Sequence, residues 1–237
     1  MSTITHKSIM KDRLPVQNAP SLMCANLLRL EDDLRALEAG GAAWWHIDIM
    51  DGHFVPNLTL GQDFCRAVAR ACPSVPLDIH LMVQPVEQHL DRFLEFSGSR
   101  ISFHPEASRD PGAVLTRIRQ AGCHPGLAIS PSVSVESLEP LLADSAYACV
   151  MTVQPGFAGQ KLIPACLPKI GQVRRFFGEN GLPNDIEVDG NVSWENIPAM
   201  VGEGASVLVT GTSSLFSKTV PLEEGCRRLR SLLDRLA

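Results

Sequence analysis

Histidines and carboxylates recur at alternating positions in three short apolar runs: His46 and Asp48 in WWHIDIMDGHFVPN, followed by Asp51; His80 in PLDIHLMV; and Asp189 in IEVDGN. Alternation is the period of a β-strand, so His46, Asp48 and Met50 share one face of their strand, and His80 shares a face with Met82. Two imidazoles and two carboxylates directed into a strand-walled cavity carry a large desolvation cost unless a cation offsets it. Nitrogen and oxygen donors without a thiolate suit one borderline divalent metal, Zn, Fe, Mn or Co, and leave it open for Lewis-acid work. A single buried histidine is more often a hydrogen-bonded core residue. Four such groups at strand ends reverse that reading, on the condition that their strands converge.

Small residues cluster after the later strands. Gln154-Pro155-Gly156-Phe157-Ala158-Gly159-Gln160 and Gly211-Thr212-Ser213-Ser214, with Asp189-Gly190-Asn191 between them, let backbone amides approach phosphate oxygens, helped by a following helix N-terminus. Taken singly, each reads equally well as a tight turn. Neither stretch is a nucleotide loop, because G-x-x-x-x-G-K-[ST] and G-x-G-x-x-G are both missing. Met50, Met82 and Met151 stand near strand ends. Methionine is usually gap-filling core, but on this face three thioethers would line a water-poor pocket around a planar anion. Asp78 and His104 read either as supports of the polar cluster or as ordinary strand-end residues, and His53 with Asn57 as ordering the loop after the second strand. Neither G-x-S-x-G nor H-E-x-x-H occurs, so no nucleophile–base pair is apparent.

The elements that must position these groups are eight β-rich runs, APSLM, WWHIDIM, PLDIHLMV, RISFH, GLAIS, ACVMTV, DIEVD and SVLVT, separated by helical patterns. The helices show the 3.6-residue period: Leu30, Leu34 and Leu37; Val86, Leu90, Phe93 and Leu94; Leu167, Ile170, Val173 and Phe177; Cys226, Leu229, Leu233 and Leu236. Gly40-Gly41, Gly98 and Gly122 fit helix ends, and Pro85 and Pro111 fit first helical turns. Eight βα units without a linker predict an α/β fold, a single (β/α)8 TIM barrel over residues 18–237 behind an N-terminal extension, residues 1–17; a doubly wound open sheet is the alternative. Either way, function belongs at the carboxyl ends of the strands.

Composition narrows the classes. The 237 residues are 45% hydrophobic, enough for a full core, and the net charge of -5 comes with no basic stripe for nucleic acid. Seven cysteines, at 24, 65, 72, 123, 149, 166 and 226, are odd in number and form no Cys-x-x-Cys pair, so they are expected to be reduced. No apolar run reaches signal-peptide or membrane-span length, which predicts a cytoplasmic protein with no membrane partner.

APSLMCANLL, HIDIMDGHFVPNLTLG, LDIHLMV, VMTVQPGFAGQ, EVDGN and VTGTSSLF, in this order, resemble the ribulose-phosphate 3-epimerase family of metal-dependent barrels, from about Pro20 to the carboxyl end. SLMC, NLTL, the His-Pro-Glu after strand 4, GFAGQ and GTSSLF are most similar to its D-allulose-6-phosphate 3-epimerase branch. The resemblance implies that His46, Asp48, His80 and Asp189 ligate the metal, with Asp48 and Asp189 also the acid/base pair. It implies that Ser21 contacts substrate beside Met50, Met82 and Met151, and that Gly156, Ala158, Gly159, Gly190, Asn191, Gly211 and Thr212 hold the phosphate. The family more often has glycine at Asn191 and Ala158 and often serine at Thr212, changes that keep backbone donation. The expected activity is inversion of C3 in a phosphorylated ketose through an enediolate, D-allulose 6-phosphate to D-fructose 6-phosphate, by a homo-oligomer. The rival substrate is D-ribulose 5-phosphate, giving D-xylulose 5-phosphate. An aldose–ketose isomerase and a catalytically silent sugar-phosphate-binding barrel are the further alternatives.

Overall fold

The computed structural model describes residues 16–217 and 219–236. Eight strands, β1 Gln17–Pro20, β2 Trp45–Met50, β3 Leu77–Met82, β4 Arg100–Phe103, β5 His124–Ile129, β6 Tyr147–Met151, β7 Asp185–Asp189 and β8 Val207–Thr210, form one parallel sheet in the order β1-β8-β7-β6-β5-β4-β3-β2. Parallel bridges Asn18↔Ala42 and Ser21↔His46 connect the two edge strands, so the sheet closes on itself. Between the strands run α1 Leu30–Ala39, α2 Gln62–Ala71, α3 Val86–His89, α4 Pro111–Gln120, α5 Glu139–Ala143, α6 Leu167–Glu179 and α7 Ile197–Glu203, and α8 Leu222–Asp234 follows β8. This is a (β/α)8 TIM barrel.

Local chemistry accounts for the elements. The first turn of α1 carries Glu31, Asp32 and Asp33 against the helix dipole, and Leu34 and Leu37 on its inner face are buried. Pro111 opens α4, where the Asp110 side chain accepts the Ala113 amide at 3.0 Å. Each strand contributes one set of side chains to the sheet–helix layer, which holds most of the core, among them Ile47, Ile49, Ile79, Leu81, Ile101, Phe103, Val150, Ile186 and Val188. The other set fills the barrel. Its polar members sit there because the register demands it: His46 lies beside Asp78, Asp48 beside His80, Met50 beside Met82, and Met151 beside Asp189.

Three expectations shift. The first strand lies earlier than APSLM and begins at Gln17, inside the expected extension; residues 1–15 of that extension lie outside the described residues. Leu22–Cys24 is a 3-10 turn instead of strand. The helix expected through Val86, Leu90, Phe93 and Leu94 is α-helical only to His89, and Leu90–Arg92 tightens to 3-10; Pro85 precedes it with extended backbone. Leu90 and Phe93 are buried all the same, so the spacing reported burial of one face, which a tightened helix also satisfies.

Candidate metal and active site

His46 and Asp48 from β2, His80 from β3 and Asp189 from the end of β7 offer one donor atom each, all within 4.8 Å of one another. His46 Nε2 stands 3.3 Å from Asp48 Oδ1 and 3.9 Å from Asp189 Oδ2; His80 Nδ1 stands 3.5 Å and 3.6 Å from the same two oxygens. Both ring nitrogens are buried without a hydrogen-bond partner. Donors about 2.0–2.2 Å from a central ion in a tetrahedral shell lie roughly 3.3–3.6 Å apart, so these orphaned groups fit a divalent cation.

The electrostatics agree. Burial lowers the His46 imidazole, but Asp48 and Asp78 outweigh it and hold the ring well above its ordinary value. Burial likewise opposes a charged His80, yet Asp189 and Asp48 raise it. Asp48, which burial alone would raise, is held far below the usual carboxylate range by His46 and His80. A cavity that favours protonated imidazoles and an ionised Asp48 at once is one that selects positive charge.

Hydrogen bonds orient three of the four groups, Asp48, His46 and His80. Ser21, just past β1, donates to Asp48 Oδ2 at 2.8 Å, which leaves Oδ1 facing the histidines. Asp78 Oδ2 lies 2.7 Å from His46 Nδ1 and so reserves Nε2 for the cavity. Tyr147 donates to Asp78 from below at 3.3 Å. Asp78 is thus a support, one of the two roles open to it from sequence. The Glu187 carboxyl, missed there, is pushed well above the usual carboxylate range by burial and by Asp78. His46, Asp78 and Glu187 form a second close group, but His46 Nδ1 is already engaged by Asp78, so that group braces the first. His104 is a support as well: its Nε2 meets His80 Nε2 at 2.9 Å, and burial holds its pKa down at about 4. Asp51 stands apart from the cluster; its carboxylate accepts the amides of His53, Phe54 and Gln84 and anchors the loop after β2.

Above the cluster lies a cavity that opens to solvent. Ser21, Asp48, Met50, Met82, Met151, Gly156, Ala158, Gly159, Asp189, Gly190, Asn191, Gly211 and Thr212 all line it, so the convergence required of the substrate-binding set is met. His46 and His80 are wholly buried beneath it. Met50, Met82 and Met151 are 4%, 1% and 2% exposed, an apolar wall beside the carboxylates. Gln154, Phe157, Gln160 and Ser213, from the two small-residue stretches, also line the cavity, as do Met23 and Cys24, to which no role at the site was assigned from sequence.

The loops at the far side of the cavity present backbone. Gly156, Gly159 and Gly190 have φ of 120°, 79° and 113°, and Asn191 follows at 45°. At Gly190 an added Cβ would lie 2.6 Å from Val153 Cγ2 and 2.8 Å from its amide nitrogen, so only glycine fits. Asn191 is the side-chain type that best tolerates left-handed backbone, and its amide donates to the Gln160 carbonyl at 2.6 Å. Asn57 reaches across to donate to the Gly156 carbonyl at 2.7 Å. The expected helix N-termini are displaced: Gly211 to Phe216 form hydrogen-bonded turns, with the Ser214 and Phe216 amides on the Gly211 carbonyl, and α8 begins only at Leu222. Among the described residues no helix is long and apolar enough to cross a membrane.

Comparison with known proteins gives this geometry a context. The profile of the ribulose-phosphate 3-epimerase family matches residues 17–216. Ribulose-phosphate 3-epimerase 1 of Cupriavidus necator is 40% identical over 202 residues, 84% of this chain and 83% of the relative. The ribulose-phosphate 3-epimerases of Escherichia coli K12 and Bacillus subtilis 168 are 38% and 37% identical over 84% of this chain, covering 88% and 91% of their own. Among solved structures, 3-keto-L-gulonate-6-phosphate decarboxylase from Vibrio cholerae aligns over 94% of this chain and 99% of its own with a TM-score of 0.67 at 13% identity, a likeness of fold alone. The chain belongs to the ribulose-phosphate 3-epimerase family and is an isomerase, a carbohydrate-phosphate 3-epimerase.

Proposed function

We propose that the protein interconverts D-ribulose 5-phosphate and D-xylulose 5-phosphate by inverting C3, with His46, Asp48, His80 and Asp189 holding one divalent ion of the Zn, Fe, Mn or Co type. The observation that carries the reading is the meeting of two partnerless imidazole nitrogens with two carboxylates at the floor of a single cavity. Inversion beside a ketone needs a proton taken from one face and another returned to the opposite face. Asp48 and Asp189 enter the cavity from strands three places apart in the barrel, so one ionised and one protonated carboxyl group serve the two faces. Ser21 holds Asp48 in place, and Met50, Met82 and Met151 keep water from the planar enediolate. When bound, the ion supplies Lewis-acid stabilisation of oxyanion charge at C2 and C3, worth several kcal/mol. Amides around Gly156, Ala158, Gly159, Gly190, Asn191, Gly211 and Thr212 grip the phosphate and position the reacting carbon.

The expected preference for D-allulose 6-phosphate draws no support from the comparisons. The relatives reported above are named for ribulose phosphate, and they move the reading to the ketopentose. Seven free thiols fit a reducing, cytoplasmic setting, and a homo-oligomer is part of the same reading. The test is kcat/KM for D-ribulose 5-phosphate, D-allulose 6-phosphate and unphosphorylated D-ribulose with metal-loaded enzyme. The ketopentose phosphate is expected to be the best substrate and the unphosphorylated sugar the poorest. A higher value for the ketohexose phosphate would restore the first expectation, and equal values with and without phosphate would remove the role of the loops.

A further inference from the structure

Behind His80 runs a line of side chains that leaves the metal cluster and ends at solvent. His80 Nε2 meets His104 Nε2 at 2.9 Å, His104 Nδ1 meets Ser130 Oγ at 2.9 Å, and the Ser130 hydroxyl donates to Glu106 Oε1. His80 and His104 are 0% exposed, while the Glu106 side chain is 35% exposed. The two ring centroids are 5.0 Å apart, the separation of rings meeting nitrogen to nitrogen and not of stacked ones. Lys169 from α6 pins the segment carrying Ser130 by donating to the carbonyls of Ser130, Pro131 and Val133.

Hydrogen-bond polarity makes this line directional. An ionised carboxylate only accepts, so Glu106 takes the one proton that Ser130 has to give. The Ser130 oxygen must then accept, and a neutral His104 donates to it from Nδ1, which leaves His104 Nε2 bare. The proton between the two rings therefore belongs to His80 Nε2. His80 Nδ1 is left with its lone pair, and that is the atom lying 3.5 Å and 3.6 Å from the Asp48 and Asp189 oxygens. We propose that Glu106 acts at a distance as a positioning residue, selecting through Ser130 and His104 the tautomer in which His80 meets the cation. His46 reaches the same end in one step through Asp78; His80 has no carboxylate behind it and uses a relay.

The proposal rests on the metal reading above, and the test separates the two. Zinc affinity is measured by competition with a chromophoric chelator for the wild type and for His104→Phe, His104→Gln, Glu106→Ala and His80→Ala. His104→Phe is expected to weaken zinc binding roughly 10- to 100-fold, the usual cost of removing a partner behind a metal-bound imidazole. His104→Gln, whose amide accepts from His80 and donates to Ser130, is expected to recover most of that loss, and Glu106→Ala to lose less than His104→Phe. Long-range nitrogen–proton NMR of the zinc-loaded wild type needs no variant: it should show His104 protonated at Nδ1 and His80 at Nε2. The opposite tautomer at His104, or unchanged affinity in His104→Phe, would overturn the relay while leaving the metal site intact. Zinc binding undiminished by His80→Ala would remove the metal reading and the relay with it.

Discussion

The two sides of the cavity are built by different means. On the floor, chemistry is carried by side chains of β2, β3 and β7, buried to 0% at His46 and His80 and placed by strand register. On the side proposed for the phosphate, the cavity is lined by the turns after β6, β7 and β8, placed by positive φ and tied down by amide side chains such as Asn57, Gln160 and Asn191. In the proposed reaction, floor groups act on the reacting atoms, whereas loop groups act on binding and orientation. Substitutions in the two places should therefore separate kcat from KM.

The sharpest separation is expected at Asp189. Asp189→Asn keeps size and polarity but moves no proton, so kcat should fall about 10²- to 10⁴-fold while circular dichroism and thermal unfolding stay near wild type. Near-normal turnover would break the two-acid scheme. On the other side, Gly190→Ala places a methyl against Val153 at a φ of 113°, which should cost about 1–3 kcal/mol of stability. It should raise KM for the sugar phosphate and leave zinc affinity alone; a loss confined to kcat would show that the two sides are not separable. A smaller effect belongs to pH. In the metal-free protein the raised His46 and His80 contribute stability that is complete below about pH 6.5, the unfolded imidazole value, and is lost as pH rises through their folded values. A metal competes for those positions, so its own stabilisation runs the other way and grows by up to about 1.4 kcal/mol per displaced proton per pH unit. The melting-temperature increment from added zinc should be larger at pH 8 than at pH 6. An increment independent of pH would detach the imidazoles from the metal.

The same contrast explains what was legible in the sequence. Alternation exposed His46, Asp48 and His80, since period two is fixed by strand geometry wherever a strand is buried on both faces. It would also have found Glu187, two residues before Asp189 on the same face, and Arg100 and Ser102, which β4 sets beside Asp78 and His80. Those were missed because a lone charged residue in an apolar run resembles an exposed one. Strand β1 was misplaced for a related reason: its Asn18 is buried but paired, accepting from the Thr210 hydroxyl at 2.7 Å, and hydropathy does not register a polar group satisfied across the barrel. The line from His104 through Ser130 to Glu106 was out of reach, because it joins residues after β4 to one after β5 that no local pattern connects. Glycines marked the turns proposed to hold the phosphate, but their spacing carried no information on whether helix ends or turn amides line the cavity there.

The proposed function depends on proton exchange by Asp48 and Asp189 on opposite faces of C3 in one enediolate. It is tested most directly by incubating the metal-loaded protein with D-ribulose 5-phosphate in deuterium oxide and following C3 by proton NMR. The expected product is D-xylulose 5-phosphate carrying solvent deuterium at C3. Deuterium entering C3 of unreacted substrate with no inverted product, or product that retains its original C3 proton through many turnovers, would contradict it.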